Sequence, residues 1–257
     1  MRNSLRALYL VALFSLFSIS PSQAQTQKSI ADARSEFRNG STPEVILEGT
    51  VTRAFGSYAR MQDDSGPTGA SGITIRQTEG PNSSDFQDAI ANGDIQPGTQ
   101  LRIQGTLSQF NGLIQLNNND LVSFTVISQG DPPTPQDVTL SELTGPGGED
   151  YESELVRVTN LNIDPDGDNN FAAGGTDGNY DASDGTATLT FRVPGSEESD
   201  VGGEPIPAGP ITFTDVVGQF NSFQGPTGDT GYQLIAIQPS TALPVELTSF
   251  TVETDAQ

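Results

Sequence analysis

The sequence predicts an all-β protein that folds as two small five-stranded barrels in tandem, joined by a proline-rich linker. Short runs of alternating apolar and polar residues recur along the chain, separated by clusters of Gly, Pro, Asn and Asp. The order of these runs in residues 43–129 returns in residues 137–242, as expected for a duplicated unit. The tripeptide Gln-Phe-Asn occurs in both copies, at Gln109–Asn111 and at Gln219–Asn221. Regular strands at this spacing predict a closed barrel in each half.

The N-terminal residues 1–24 have the pattern of a secretory signal peptide. Arg2 and Arg6 precede an apolar run from Ala7 to Ile19, and the small-x-small triplet Ser22–Ala24 follows it. The apolar run is shorter than the ~20 residues that a membrane-spanning helix needs. We therefore expect an exported protein, extracellular or at the cell surface, with no membrane span, and we expect a monomer.

A lead-in segment, residues 25–42, precedes the first predicted barrel, residues 43–129. Ser29 is a suitable N-cap for a short helix that runs to Phe37. Within the first half the sequence predicts a half-buried strand, a weak helix, a two-residue hairpin turn and a final strand, at Val45–Val51, Asn82–Gly93, Asn111–Gly112 and Leu121–Ile127 respectively.

The second predicted barrel, residues 137–242, follows a stiff linker at residues 130–136. Its residues 164–184 are rich in Gly, Asn and Asp, which predicts a long loop. Five strands with a helix or loop between the third and fourth is the plan of an OB-fold barrel. An immunoglobulin-like sandwich is the alternative, but it favours a buried Trp, and this chain contains none.

The composition narrows the classes of function. The chain carries 33 acidic and 11 basic residues, a net charge of −22, which disfavours binding to polyphosphate. Solubility of an exported protein and life in strong brine both explain this acidity, and we favour the second. Neither His nor Cys is present, which excludes a Ser-His-Asp triad, a thiol nucleophile, disulfides and an ordinary zinc site. We expect no enzymatic activity, although paired carboxylates could in principle exchange protons.

One loop has a pattern that suits a hard cation. Asp164, Asp166, Asp168 and Asn170 offer oxygen atoms at alternate positions, which makes calcium a candidate ligand. Only the first half of an EF-hand loop is matched, and a plain solvated loop is the alternative. No cofactor is required by anything else in the sequence.

Aromatic and arginine side chains are candidates for ligand binding, since OB barrels bind oligonucleotides or oligosaccharides on strands two and three and the loops beside them. The candidates in both halves are Phe55, Tyr58, Arg60, Arg76, Phe110, Asn111, Tyr180, Arg192 and Phe220. Aromatic rings beside arginines suit the stacking of bases, and rings beside amides suit sugars. Burial in the core is the alternative for each ring, and Phe191 is expected to be buried.

Three segments resemble the OB-fold domains of bacterial exported proteins. They are SIADAR at Ser29–Arg34, LEGTVTRAFGSYARMQDDSG at Leu47–Gly66 and LRIQGTLSQFNGLIQL at Leu101–Leu116. Such domains often adjoin extracellular nuclease or phosphatase domains. The resemblance implies a non-catalytic exported binding or spacer protein. The alternative that it implies is the accessory, nucleic-acid-binding region of a nuclease-type enzyme whose catalytic domain is missing. Single-stranded nucleic acid and oligosaccharide both remain candidate partners.

The C-terminal segment, residues 243–257, resembles a different class of sequence. Leu243–Val252 (LPVELTSFTV) is similar to the linker and first strand before the sorting modules of proteins exported by the type IX secretion system. This resemblance implies either the start of a truncated sorting module or a vestigial tail. An ordinary terminal strand is the alternative.

Overall fold

The computed structural model describes residues 27–42, 44–63, 69–173, 175–195, 198–220, 230–239 and 243. The predicted signal segment at 1–24 lies outside the described residues. So does the C-terminal segment at 243–257, apart from Leu243. Among the described residues, no helix combines the length and the apolar character needed to cross a bilayer.

The lead-in segment forms a two-residue strand, β1 (Gln27–Lys28), and a helix, α1 (Ile30–Arg38). Ser29 caps the helix as predicted, because its Oγ accepts a hydrogen bond of 3.0 Å from the backbone N of Asp32. β1 pairs in parallel with the first long strand of the next unit, so the lead-in is part of the fold.

The part of the first half that the structure describes contains seven further strands and a second helix. These are β2 (Glu44–Phe55), β3 (Tyr58–Gln62), β4 (Gly72–Arg76), α2 (Ser83–Ala91), β5 (Gln100–Thr106), β6 (Ser108–Phe110), β7 (Leu113–Asn117) and β8 (Leu121–Ser128). The predicted helix at Asn82–Gly93 and the predicted strand at Leu121–Ile127 are both present. Neighbouring strands pair in the order β6-β7-β4-β3-β2-β5-β8. Only Leu107 separates β5 from β6, so these two strands together border both β2 and β7.

The hairpin between β6 and β7 has the predicted two-residue turn. Asn111 and Gly112 both have positive φ, 50° and 99°. A type I′ turn requires this at both central positions and favours Asn followed by Gly. The turn therefore follows from local backbone chemistry.

The described residues of the second half contain six strands. They are β9 (Gln136–Asp137), β10 (Leu155–Ile163), β11 (Gly178–Ser183), β12 (Thr188–Val193), β13 (Ile211–Gln219) and β14 (Tyr232–Ile235). β10 pairs with both β13 and β11, which closes the ring β10-β11-β12-β14-β13. If β10 to β14 are numbered one to five in chain order, the strands follow each other around the barrel as 1-2-3-5-4-1. This order, with the parallel pairing of β12 and β14, makes the closed five-stranded barrel OB-like.

One strand lies where the sequence predicted a loop. β11 falls inside residues 164–184, whose Gly, Asn and Asp content favours turns. The strand forms because alternate residues of GNYDAS, among them Tyr180 and Ala182, are buried, and all six residues pair with β12. Tertiary pairing here overrides a weak local propensity.

Two large clusters of buried apolar side chains lie in the two halves, one spanning Ile30 to Leu121 and the other Val138 to Ala236. Between the halves, Phe55 packs against a third, small cluster of Val216, Ile235 and Ile237, and several buried polar contacts also cross. Arg34 Nη1 donates to the carbonyl O of Gly72 in β4, and Arg34 Nη2 lies 2.6 Å from Glu149 Oε1. Ser71 donates to Glu154 through its backbone N at 2.6 Å and its Oγ at 2.8 Å. These buried contacts fix how the halves face each other.

Candidate functional site

A cleft of about 350 Å³ lies between the two halves, a size within the usual range of small-molecule sites. Strands β3, β4 and β7 and the β6–β7 hairpin form one wall, and β12, β13 and β14 form the other. Six of the nine predicted ligand-binding residues line it: Tyr58, Arg60, Arg76, Phe110, Arg192 and Phe220. Residues predicted independently in each half thus converge on one site.

Two exposed phenylalanines belong to this cleft. Phe110 is 60% exposed and Phe220 is 47% exposed, the two most exposed rings among the large hydrophobic residues of the described chain. An antiparallel bridge between Gly112 and Phe220 brings the two loops together. Gly112 has a φ of 99°, a backbone conformation that favours glycine. The two rings line the same cleft and remain open to solvent.

Tyr58 and Arg60 lie on β3 and line the cleft from the first half. Arg60 makes an ion pair with Glu198, whose loop belongs to the second half, and the two side chains are 4% and 16% exposed. The Arg60 guanidinium also lies 5.3 Å from the centre of the Tyr58 ring. Burial raises the pKa of the Tyr58 hydroxyl above its usual value. Tyr58 is therefore a neutral hydrogen-bonding group at neutral pH.

Arg76 lies beside Tyr58 on β4. Its Nε donates to Tyr58 Oη at 2.8 Å, and its Nη1 donates to Asn117 Oδ1 at 2.8 Å. Across the cleft, Arg192 Nη2 pairs with Asp177 at 2.6 Å, and its guanidinium lies 6.0 Å from the Phe220 ring centre. Hydrogen bonds thus orient both guanidinium groups.

Three predicted residues lie elsewhere. Phe55 packs against the small cluster around Val216 and lines a separate cavity of about 250 Å³. Asn111 forms the hairpin turn and does not line the cleft. Tyr180 is 7% exposed, and its hydroxyl accepts a hydrogen bond of 2.7 Å from the backbone N of Ala172. The prediction of a ligand-facing Tyr180 is therefore wrong, because the alternation of side chains along β11 directs Tyr180 into the core. Phe191 on β12 is buried in the same way, as predicted.

Sequence reasoning missed several polar residues that line the cleft. They are Thr74, Glu79, Gln115, Asn117, Asn118, Glu198, Gln219 and Gln233. Thr74, Gln115 and Gln233 are buried polar residues on strands, and apolar periodicity does not distinguish them from outward-facing residues. Gln219 adjoins Phe220 in the repeated Gln-Phe-Asn tripeptide, which was the available signal.

The predicted calcium loop does not gather its carboxylates. The described residues contain no group of three or more acidic, His or Cys side chains arranged to hold a metal ion. Asp164 Oδ1 instead accepts a hydrogen bond of 3.0 Å from the backbone N of Asp166, and Asn170 Nδ2 donates to the carbonyl O of Gly203 at 2.6 Å. A local turn occupies the Asp164 side chain and a contact with a distant loop occupies that of Asn170, and Asp164, Asp166 and Asp168 do not converge.

No protein-family model and no curated protein matches this chain. Among solved structures, the tetrameric p202 HIN2 is similar over 68% of this chain and 91% of its own, with 10% sequence identity and a TM-score of 0.28. The OB-like assignment therefore rests on the strand pairings described above.

Proposed function

We propose that this protein is an exported, non-catalytic binding protein made of two tandem OB barrels, and that it holds a short oligosaccharide in the cleft between them. In the first half, β5 pairs with β2 and β6 pairs with β7. If β5 and β6 are counted as one bent strand, these pairings close a ring, which supports a second barrel. The absence of His and Cys from the sequence supports a non-catalytic role.

The observation that carries the proposal is the shared cleft. A spacer would need no site, yet the two exposed phenylalanines, one from each half, stand at one opening with three arginines and several amides behind them. Single exposed apolar residues are common, but two exposed rings that line one cleft form a candidate binding surface. Phe110 and Phe220 suit the apolar face of a sugar ring, and the side-chain amides and guanidinium groups suit its hydroxyls.

Charge favours a sugar over a nucleic acid. Affinity for nucleic acid comes largely from cations at phosphates, and the net charge here is −22. Two of the three arginines in the cleft, Arg60 and Arg192, already pair with carboxylates. The cleft therefore lacks the row of unpaired cations that a phosphate backbone needs.

Calorimetric titration with a panel of oligosaccharides and with single-stranded oligothymidylate tests the proposal. We expect a sugar to bind the wild-type chain and F110A or F220A to weaken that binding by about tenfold or more, as the loss of a stacking ring does elsewhere. I127A, which removes a side chain 48% exposed on β8 outside the cleft, is the matched control and should bind like wild type.

The same titrations separate the alternatives. Binding of oligothymidylate with no sugar binding would favour the accessory region of a nuclease-type enzyme. Binding of neither ligand, with all variants folded, would favour a spacer.

A further inference from the structure

Arg76 differs from every other basic residue in the described part of the chain. The other eight described Lys and Arg side chains each lie within 4.0 Å of a carboxylate: Lys28, Arg34, Arg38, Arg53, Arg60, Arg102, Arg157 and Arg192. Arg76 makes no such pair with any described carboxylate. The sequence holds three acidic residues for every basic one, so an arginine without an acidic partner is notable, and this one lines the cleft.

Neutral groups hold the Arg76 guanidinium in place. Tyr58 Oη and Asn117 Oδ1 accept its hydrogen bonds, each at 2.8 Å, and neither carries a charge at neutral pH. These bonds fix the orientation of the group without a carboxylate partner. Glu79 and Glu198 also line the cleft, and neither forms an ion pair with Arg76. Asn117 is itself fixed, because its backbone N donates to Asp120 Oδ2 at 3.0 Å. A preoriented guanidinium is the preferred protein partner of a carboxylate.

We propose that the cleft binds an acidic oligosaccharide, and that a uronate carboxylate of this ligand pairs with Arg76. This inference rests on the proposed function and names the class of sugar. Phe110 and Phe220 contact the sugar rings, and Arg76 supplies the charge that selects an acidic sugar over its neutral counterpart. One uronate among neutral sugars matches the one described arginine of the cleft that has no carboxylate within 4.0 Å. A nucleic acid fits less well, because it presents a phosphate at every nucleotide.

The test compares ligands that differ only in charge. Short oligosaccharides that carry a single galacturonate, glucuronate or mannuronate among neutral sugars are titrated into the protein beside their methyl esters, which keep the rings and lose the carboxylate charge. At 0.1 M salt we expect at least one acidic oligomer to bind about tenfold more tightly than its ester, the usual scale of one charge-assisted hydrogen bond. R76Q should remove this difference, so that the acid and its ester bind the variant with equal affinity.

R102Q is the matched control, since it removes an arginine charge on β5 outside the cleft. It should keep the preference for the acidic oligomer, and thermal melting should verify that both variants are folded. Equal affinity for acid and ester, or a preference that survives in R76Q, overturns the inference and leaves the proposed function standing. If no oligomer of either form binds and oligothymidylate does, both are overturned.

Discussion

Arg34 Nη1 lies 2.8 Å from Glu152 Oε1, and the two side chains are 1% and 0% exposed. Arg34 belongs to the lead-in helix α1, and Glu152 lies just before β10, so this pair joins the two halves of the molecule. Glu152 Oε1 also accepts a hydrogen bond of 3.1 Å from the backbone N of Ile114, in β7. Glu152 thus contacts both the lead-in helix and one strand of the cleft wall.

We expect R34M to lower the free energy of unfolding by about 3–5 kcal/mol, because it leaves the buried Glu152 without its cationic partner. Urea denaturation followed by circular dichroism measures the change. K28M is the matched control, since Lys28 pairs with Glu36 at the surface, where such pairs contribute under about 1 kcal/mol. A similar loss in both variants would contradict a structural role for the buried pair.

The stability of the protein should fall between about pH 5 and pH 7 through Glu152. Burial raises the pKa of this carboxyl from 4.5 to about 7 in the folded protein, although Arg34 acts in the opposite direction. The folded state therefore holds a proton that the unfolded state has lost. The stabilisation is complete below the unfolded pKa and disappears as pH rises through the folded one.

The variant E152Q tests this pH dependence, because it keeps the shape of the side chain and removes the titration. We expect the wild-type free energy of unfolding to fall more steeply than that of E152Q, by on the order of 1–3 kcal/mol across this window. Denaturation curves at several values between pH 5 and pH 8 provide the two slopes. If the free energy of unfolding changed equally with pH in the wild type and in E152Q, groups other than Glu152 would account for the pH dependence.

Gly72 lies tightly against the backbone of the second half. A Cβ at this position would lie 2.6 Å from the carbonyl carbon of Ser153 and 2.7 Å from the carbonyl O of Glu152. We expect G72A to cost about 1–3 kcal/mol of unfolding free energy, because backbone atoms cannot move aside as a flexible side chain would. G209A is the control, since nothing lies within 4 Å of a Cβ there. Equal stability of the two variants would contradict this tight contact.

Calcium should leave the protein unchanged. The side chains of Asp164, Asp166 and Asp168 do not form a metal-binding group, so millimolar calcium should not raise the melting temperature above that in chelator. Differential scanning calorimetry in calcium and in chelator makes this comparison. A rise in calcium that D166N abolishes would restore the loop as a metal site.

Part of the candidate site was predictable from the expectation that an OB barrel presents strands two and three, and the loop between strands four and five, on one face. Tyr58, Arg60 and Arg76 followed from that rule, and Phe110 and Phe220 from the hairpin and the repeated tripeptide. The position of Tyr180 was not predicted correctly. The sequence predicted a loop at residues 178–183, so there was no strand alternation from which to infer whether Tyr180 faces the core or the solvent. The amides of the cleft wall were missed because burial of a polar side chain depends on what faces it.

The sequence by itself determined the elements whose causes are local: the Ser29 helix cap, the Asn111–Gly112 turn and the alternating strands of the first half. Only the tertiary structure decided that the halves meet through Arg34, Glu149 and Glu152, and that their candidate residues share one cleft. The physical reason is the separation along the sequence of the residues that interact. Capping, turn geometry and alternation depend on residues a few positions apart, whereas a buried ion pair depends on partners more than a hundred residues apart, such as Arg34 and Glu149, 115 positions away along the chain.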